Sequence, residues 1–342
     1  MSGIRAATPE TDGATEDAGG RLPAGPQGGA VELSVVVPVY NEETALGAFF
    51  DRLYPVLLGL GLSFEVVCIN DGSRDRTLDV LLDFQRKLPG LKVVDFARNF
   101  GKEVALTAGL DLASGRAVVM IDSDLQHPPE LIATFLEKWR EGHDIVYGVR
   151  RSRLDETATK RYLTRMFYRL LNSMSEVSIP PDAGDFRLMD GAVVEALRGF
   201  GERSRFMKGL FAWVGFSQVA VPFDVENRVA GSSKWSLVKL WNFAIEGFVS
   251  FSSVPLRIWS YIGAAIALLA FLYTLFIVVR TLAFGADVPG FASIIAAIFF
   301  FSGIQLLGLG ILGEYLARIF SEVKRRPIYI IRRRFGFDGG DR

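Results

Sequence analysis

The stretch Ala117-Val-Val-Met-Ile-Asp122-Ser-Asp124-Leu-Gln126-His127-Pro-Pro-Glu-Leu131 decides the fold. Its apolar run reads as a buried strand, 117–122, that ends on two carboxylates, Asp122 and Asp124. Two prolines then open a helix, the position where a missing amide hydrogen costs least. Carboxylates at such a strand end can hold a hard divalent cation through oxygen, and the cation can neutralise a diphosphate. The carboxyl ends of strands are also where open α/β sheets bind ligands. An isolated Asp-x-Asp equally describes a turn that caps the next helix, so its neighbours must decide.

On both sides of this stretch, apolar runs alternate with helical stretches between Leu33 and about Val225. The spacing predicts strands over 33–39, 64–70, 92–96, 117–122 and 144–149, and helices near 43–58, 75–88, 101–113, 129–140 and 157–172. Such βα alternation predicts one doubly wound α/β domain with a mostly parallel sheet. The strands are continuous apolar runs, as expected where helices cover both faces.

Four loops at strand ends would then converge on one crevice. Pro38-Val-Tyr40-Asn-Glu42 follows the first strand; Pro38 stops its ladder, and Tyr40 offers a ring face to a flat base. Asn70-Asp71-Gly72-Ser73 follows the second; Asp71 can accept from a base N–H, and Gly72 permits close backbone approach. Arg98-Asn-Phe-Gly101-Lys102 is a basic loop opening a helix whose N-terminus favours anions. The fourth is Asp122-Ser123-Asp124-Leu-Gln126.

Together, in this order and with the sequence that follows the fifth strand, these motifs resemble family-2 glycosyltransferases of GT-A fold. More narrowly, the chain resembles the polyprenyl-phosphate glycosyltransferases, over Leu33 to about Ile331. The resemblance implies that Pro38, Tyr40, Glu42, Asp71, Gly72, Lys102, Asp122 and Ser123 hold a nucleotide sugar. It implies that Asp122, Asp124 and Gln126 bind Mg2+ or Mn2+ on its diphosphate. Asp182-Ala-Gly-Asp185-Phe-Arg187-Leu matches a loop near the transferred sugar, which puts Asp124, Asp185 and Arg187 at the catalytic centre. Arg228-Val-Ala-Gly-Ser-Ser233-Lys234 matches a basic loop that closes over phosphates beside the membrane. Arg150, Arg151 and Arg153 follow the fifth strand, where they either grip the acceptor phosphate or form a solvated cluster; the residues alone leave both open. The same two readings apply to Arg228 and Lys234, which can instead meet lipid headgroups, and Asp185 can instead brace its loop.

The implied reaction moves one sugar, from a UDP-sugar and first of all UDP-glucose, to polyprenyl phosphate with inversion. Phosphate monoesters have a second pKa of about 6 and need no general base, so Asp185 is expected to orient the sugar or acceptor.

Composition bounds the alternatives. The chain has 342 residues, half of them hydrophobic, and 38 basic against 38 acidic side chains, which gives a nucleic-acid binder no support. One cysteine, Cys68, and two histidines argue against zinc chemistry and an internal disulfide. Residues 1–30 are Gly-, Ala- and Pro-rich with few large apolar groups, which predicts a disordered tail without a secretory signal. A glycosyltransferase domain is expected over 31–230 and interfacial amphipathic helices over 231–257. Ile258–Val279 and Val288–Gly313 carry no charge, which predicts two transmembrane helices, about 258–280 and 289–313, within 258–315. Seven basic residues between Arg318 and Arg334 follow them, so 316–342 reads as a basic cytoplasmic tail, with the catalytic domain on the same side of a multi-pass inner-membrane protein. Partners are therefore a nucleotide sugar, a polyprenyl phosphate and the membrane, with a homo-oligomer left open.

Gly308-Leu-Gly310-Ile-Leu-Gly313 matches a dinucleotide fingerprint but lies inside an apolar span, so Gly303 and Gly310 read instead as a helix-packing stripe. A processive polysaccharide synthase of the same fold would carry Gln-x-x-Arg-Trp after the metal loop, and no such string occurs. A non-catalytic lipid-handling scaffold would have no need of Asp71, Asp122, Asp124 and Arg228.

Overall fold

The computed structural model describes residues 30–151, 166, 183–203, 205, 207–224, 254–284 and 290–337. The Thr157–Asn172 helix (apart from Met166), the interfacial segment before Val254, Arg153, Arg228, Ser233 and Lys234 lie outside them. Strands β1 (Leu33–Val39), β2 (Phe64–Asn70), β3 (Leu91–Phe96), β4 (Ala117–Met120) and β5 (Ile145–Arg150) alternate with helices α1 (Leu46–Gly59), α2 (Thr77–Gln85), α3 (Lys102–Leu112) and α4 (Leu131–Arg140). Then come β6 (Ala183–Asp190), α5 (Gly191–Arg198), α6 (Met207–Trp213), β7 (Gln218–Phe223), the long helices α7 (Val254–Phe284) and α8 (Phe291–Val323), and β8 (Ile331–Phe335).

These strands form one 8-stranded mixed sheet in the order β7-β5-β6-β4-β1-β2-β3-β8. β1 pairs in parallel with both β2 and β4, so the chain winds away from β1 in both directions and the switch point lies between β1 and β4. Alternation along β1 sends Leu33, Val35, Val37 and Val39 into a core with α1 and α4, and Val36 into one with α3 and α5. The α/β architecture is what the βα alternation predicts, with a mixed rather than mostly parallel sheet, and its GT-A-like form is what the resemblance implies.

Several expectations need correction. Pro38 does not end β1 on the β2 side, where Pro38 and Val39 still pair with Ile69 and Asn70. The ladder to β4 stops at Val36, whose carbonyl accepts from Ile121 N at 3.1 Å. Residues two apart in a strand turn their backbone polar groups the same way, so the hydrogen Pro38 lacks would point past the end of β4. The proline therefore costs no bond and helps the crevice to open at the switch point.

The segment read as a loop around Asp185 is instead β6, antiparallel between β4 and β5. The basic stretch read as a tail holds the end of α8 and the edge strand β8, antiparallel to β3. α7 has 31 residues and α8 has 33. Among the described residues one helical segment, Ala297–Val323, is long and apolar enough to cross a membrane, with mean hydropathy 1.6. Gly303 and Gly310 face open space, whereas a Cβ on Gly308 would meet the Trp259 indole nitrogen at 1.9 Å. Gly308, not the expected pair, lets the long helices touch there.

Candidate active site

The loops after β1 and β2 are laced together by side chains that accept or donate to backbone. Asn41 N donates to Ser73 Oγ (3.0 Å), Arg74 N to Asn41 Oδ1 (2.8 Å), and Glu42 N to Thr77 Oγ1 (2.9 Å). Asn41 has φ 55 and Leu125 φ 58, so left-handed non-glycine residues stand at the ends of both β1 and β4. Such backbone is held against its preference by roughly 1–2 kcal/mol and commonly gathers at working sites. Tyr40, which follows β1, is 42% exposed.

Asp71 has a more structural setting than its sequence suggests. It is 3% exposed, and its two oxygens accept from Phe100 N at 2.6 Å and Gly101 N at 2.9 Å. Burial lifts its pKa above the usual carboxylate value, partly offset by those two bonds and by Arg98. The carboxylate thus fixes the third loop and the start of α3; each oxygen keeps another lone pair for a ligand. Gly72 has φ 61, and a Cβ there would fall 2.3 Å from the Arg98 carbonyl carbon. The backbone that approaches Gly72 closely is the protein's own third loop.

Gly101 launches α3, and Lys102 in its first turn reaches across the crevice. Its Nζ lies 2.7 Å from Asp122 Oδ2 and 2.6 Å from Asp185 Oδ2, tying the end of β4 to β6. Burial opposes the ammonium charge, yet Asp122 and Asp185 push the Lys102 pKa well above its ordinary value. Burial likewise opposes ionisation of Asp185, but Lys102, Lys208 and Arg187 hold its carboxyl well below the usual range. Both partners therefore stay charged across physiological pH.

Arg187, expected at the catalytic centre, is 2% exposed. Its guanidinium lies 3.7 Å from the Phe211 ring centroid and donates to the Gly184 carbonyl at 2.7 Å. Its charge helps to keep the Asp185 carboxylate ionised. Asp124 Oδ1 accepts from Gln126 N at 3.1 Å, shaping the turn that sets both residues, and Ser123 is 4% exposed. Arg150 ends β5 and is exposed, and its charge acts on His127. Arg151 makes a solvated 3.8 Å pair with Asp224.

Three groups around Asp122 and Asp185 carried no assignment from sequence. His127 is 5% exposed, its Nδ1 is unpartnered and 4.0 Å from Asp122 Oδ2, and burial first of all lowers its pKa. Its position directly after Gln126 was the available signal. Glu103 and Lys208 both act electrostatically on Asp185. Lys208 comes from α6, and nothing in its local sequence points to Asp185.

The resemblance implies a divalent cation. Among the described residues no group of three or more His, Cys, Asp or Glu side chains is arranged to hold a metal. Mg2+ does not require one, because it keeps several waters and uses one or two carboxylates plus substrate phosphates. Asp122 and Asp124 are hard oxygen donors, and Asp122 already faces a positive charge in Lys102. The residues fit a cation that arrives with its diphosphate.

Residues 34–198 match the family described as Glycosyl transferase family 2. The chain is 51% identical over 308 residues to an uncharacterized glycosyltransferase of Synechocystis sp., covering 90% of this chain and 97% of that protein. It is 45% identical over 303 residues to a prophage-derived bactoprenol glucosyl transferase of Shigella flexneri, covering 89% and 98%. A glucosyl-3-phosphoglycerate synthase from Mycobacterium tuberculosis, solved with Mn2+, UDP-glucose and phosphoglyceric acid, is 22% identical with a TM-score of 0.42, covering 64% of this chain and 78% of that one. With relatives matched at 51% and 45% identity over almost their full length, the chain belongs to glycosyl transferase family 2, and it is a glycosyltransferase.

Proposed function

We propose that the protein transfers one sugar from a UDP-sugar, UDP-glucose first, to polyprenyl phosphate with inversion, giving a polyprenyl-monophosphate sugar. The observation that carries this reading is the Lys102 bridge between Asp122 and Asp185. A hydroxyl acceptor needs a base with a pKa near the working pH. Asp185, ion-paired and held well below the ordinary carboxylate range, is a poor one. A phosphate monoester with a second pKa of about 6 arrives mostly dianionic and needs no proton removed. The likeness to bactoprenol glucosyl transferases supports the same acceptor class and the same sugar.

In this reading Tyr40 stacks on the base, and the Asn41–Glu42 and Asp71–Ser73 turns, braced against one another, hold the nucleoside. Asp122, Asp124 and Gln126 would hold Mg2+ or Mn2+, which when bound neutralises the diphosphate leaving group. Lys102 supplies a second, permanently charged group at the same place. Asp185 orients the sugar, with Arg187 and Lys208 keeping it ionised from behind. Arg150, Arg153, Arg228, Ser233 and Lys234 would receive the acceptor phosphate.

Both long helices would cross the bilayer, α8 by the length and composition of Ala297–Val323 and α7 by its uncharged 258–279 run. The basic residues beyond α8 favour a cytoplasmic catalytic domain in an inner membrane. A long isoprenoid acceptor stays in the bilayer, so an anchored domain meets it at the interface.

The test is transfer of labelled sugar into undecaprenyl phosphate by purified protein, with a panel of UDP- and GDP-sugars and with Mg2+, Mn2+ or EDTA. EDTA-sensitive label in the lipid phase from UDP-glucose is expected. Donor hydrolysis without lipid label would leave the donor site standing and reject the acceptor.

A further inference from the structure

The strand that follows the long helices reaches back to the turns assigned to the donor. Tyr329 precedes it, donating its hydroxyl to Asp111 at 2.9 Å and stacking on Phe96 with ring centroids 5.3 Å apart. β8 then runs antiparallel to β3, pairing Phe335, Arg334 and Arg333 with Val93, Val94 and Asp95. There the register shifts, and Phe96 faces Ile331. Arg332 is the extra residue of this bulge, its guanidinium donating to the Ala97 carbonyl at 2.7 Å. The bulge lets Ile331 pack with Phe96 on one face while Arg333 stands beside Asp95 on the other.

Asp95 is 2% exposed. Its Oδ2 has no hydrogen bond and lies 3.6 Å from an Arg333 guanidinium nitrogen, while its Oδ1 accepts from Asn70 Nδ2 at 2.8 Å. Asn70 is itself buried, and its Oδ1 accepts from Ser73 N at 3.3 Å. Ser73 Oγ in turn accepts from Asn41 N at 3.0 Å. A continuous series of polar contacts therefore runs from an arginine beyond the last helix to both turns at the switch-point crevice.

We infer that Arg333 is a positioning residue for the donor turns. Its charge holds the Asp95 carboxylate, Asp95 fixes which way the Asn70 amide points, and Asn70 holds the Ser73 amide that sets the Asn41 turn. A buried carboxylate stripped of its counter-charge must rotate towards water or recruit it, and either movement releases Asn70. The catalytic domain is thus tuned by the strand that returns from the helix pair. The inference rests on the reading of these turns as the donor site, and its test separates the two.

Full-length protein in detergent would be prepared as wild type, Arg333→Ala, Arg333→Lys and Arg334→Ala. Hydrogen–deuterium exchange without ligand reads the turns directly. Exchange at 70–73 and at Asn41 is expected to quicken about tenfold in Arg333→Ala, to be largely restored in Arg333→Lys and to stay unchanged in Arg334→Ala. With UDP-glucose as donor, KM should rise about five- to tenfold while kcat stays within about twofold. Unchanged exchange in Arg333→Ala overturns the inference. So does faster exchange with an unaltered KM in a protein that uses UDP-glucose. If wild-type protein neither binds nor uses UDP-glucose, the donor reading fails and the exchange result still decides the coupling. Should Arg333→Ala fail to fold, Asp95→Asn in the same background removes the unpaired charge and keeps an acceptor for Asn70. That double variant is expected to fold with protected turns, and failure to do so also overturns the inference.

Discussion

Replacing Lys102 with methionine removes the positive charge between Asp122 and Asp185 while keeping an unbranched side chain at the start of α3. The two carboxylate oxygens lie 2.7 and 2.6 Å from Nζ and would be left facing each other. Two unit charges about 5 Å apart repel by about 3 kcal/mol at an effective dielectric of 20 and by about 1 kcal/mol in bulk water. The Lys102 side chain is 42% exposed, so screening favours the lower part of that range, about 1–2 kcal/mol. That corresponds to a loss of about five- to thirtyfold in kcat/KM if the bridge also holds the transition-state geometry.

A pH effect accompanies the loss. The depressed pKa of Asp185 contributes stability that is fully present above the unfolded value of about 4 and disappears as pH falls through the folded one. Without Lys102 the folded pKa rises, so acid unfolding and the acid limb of the transfer rate both move to higher pH. Single-turnover transfer measured across pH, with circular dichroism on the same samples, reads both effects. Lys102→Arg keeps the charge and should lose less. Activity within about twofold of wild type and an unmoved acid limb would show instead that the bridge is an ordinary screened surface pair.

Other consequences are as specific. Gly72→Ala forces a Cβ to 2.3 Å from the Arg98 carbonyl carbon at φ 61, and is expected to cost about 2 kcal/mol or more in thermal unfolding and to weaken UDP binding; an unchanged melting temperature contradicts the close approach. Asp185→Asn should lose less single-turnover activity than Asp124→Ala, since the acceptor needs no base; equal losses would restore a base role to Asp185. Glu103, lifted to about 7 by burial and then by the charge of Asp185, keeps its proton in the folded state through a window where the unfolded chain has released it. Stability contributed there falls as pH rises from about 4 to about 7, so Glu103→Gln should gain melting temperature over wild type between about pH 5 and about pH 8. A pH-independent difference would contradict that.

The parts of the fold visible in the sequence are those where burial and periodicity agree. β1 to β5 are apolar runs covered on both faces, and each was placed within a residue or two of its observed bounds. β6 escaped because Asp185 and Arg187 interrupt its apolar pattern. Arg187 is tolerated in the interior by the Phe211 ring and the Gly184 carbonyl, partners that only tertiary packing brings together. β8 escaped because Arg332, Arg333 and Arg334 read as a solvated run. A carboxylate inside the neighbouring strand and a bulge turn them into an edge strand.

The site was legible as a set of loops and less so as a set of roles. Asp122, Asp185 and Lys102 converge, as motif order suggested. Asp71 and Gly72 are engaged by the third loop, because two strand-end turns that both approach one crevice also approach each other. The helix contact fell on Gly308 rather than on Gly303 and Gly310, since a regular spacing of small residues does not say which one meets a large partner such as Trp259.

In the proposed reaction one sugar passes to a phosphate on a polyprenyl lipid. The direct test is mass spectrometry and NMR of the lipid extracted after incubation with UDP-glucose and undecaprenyl phosphate, the mass counting the sugars and the anomeric coupling reading the configuration. A single product is expected, undecaprenyl phosphate carrying one hexose through a phosphodiester, with the anomeric configuration opposite to that of the donor. Lipid bearing two or more sugars, retained configuration, or unmodified lipid beside consumed donor would contradict it.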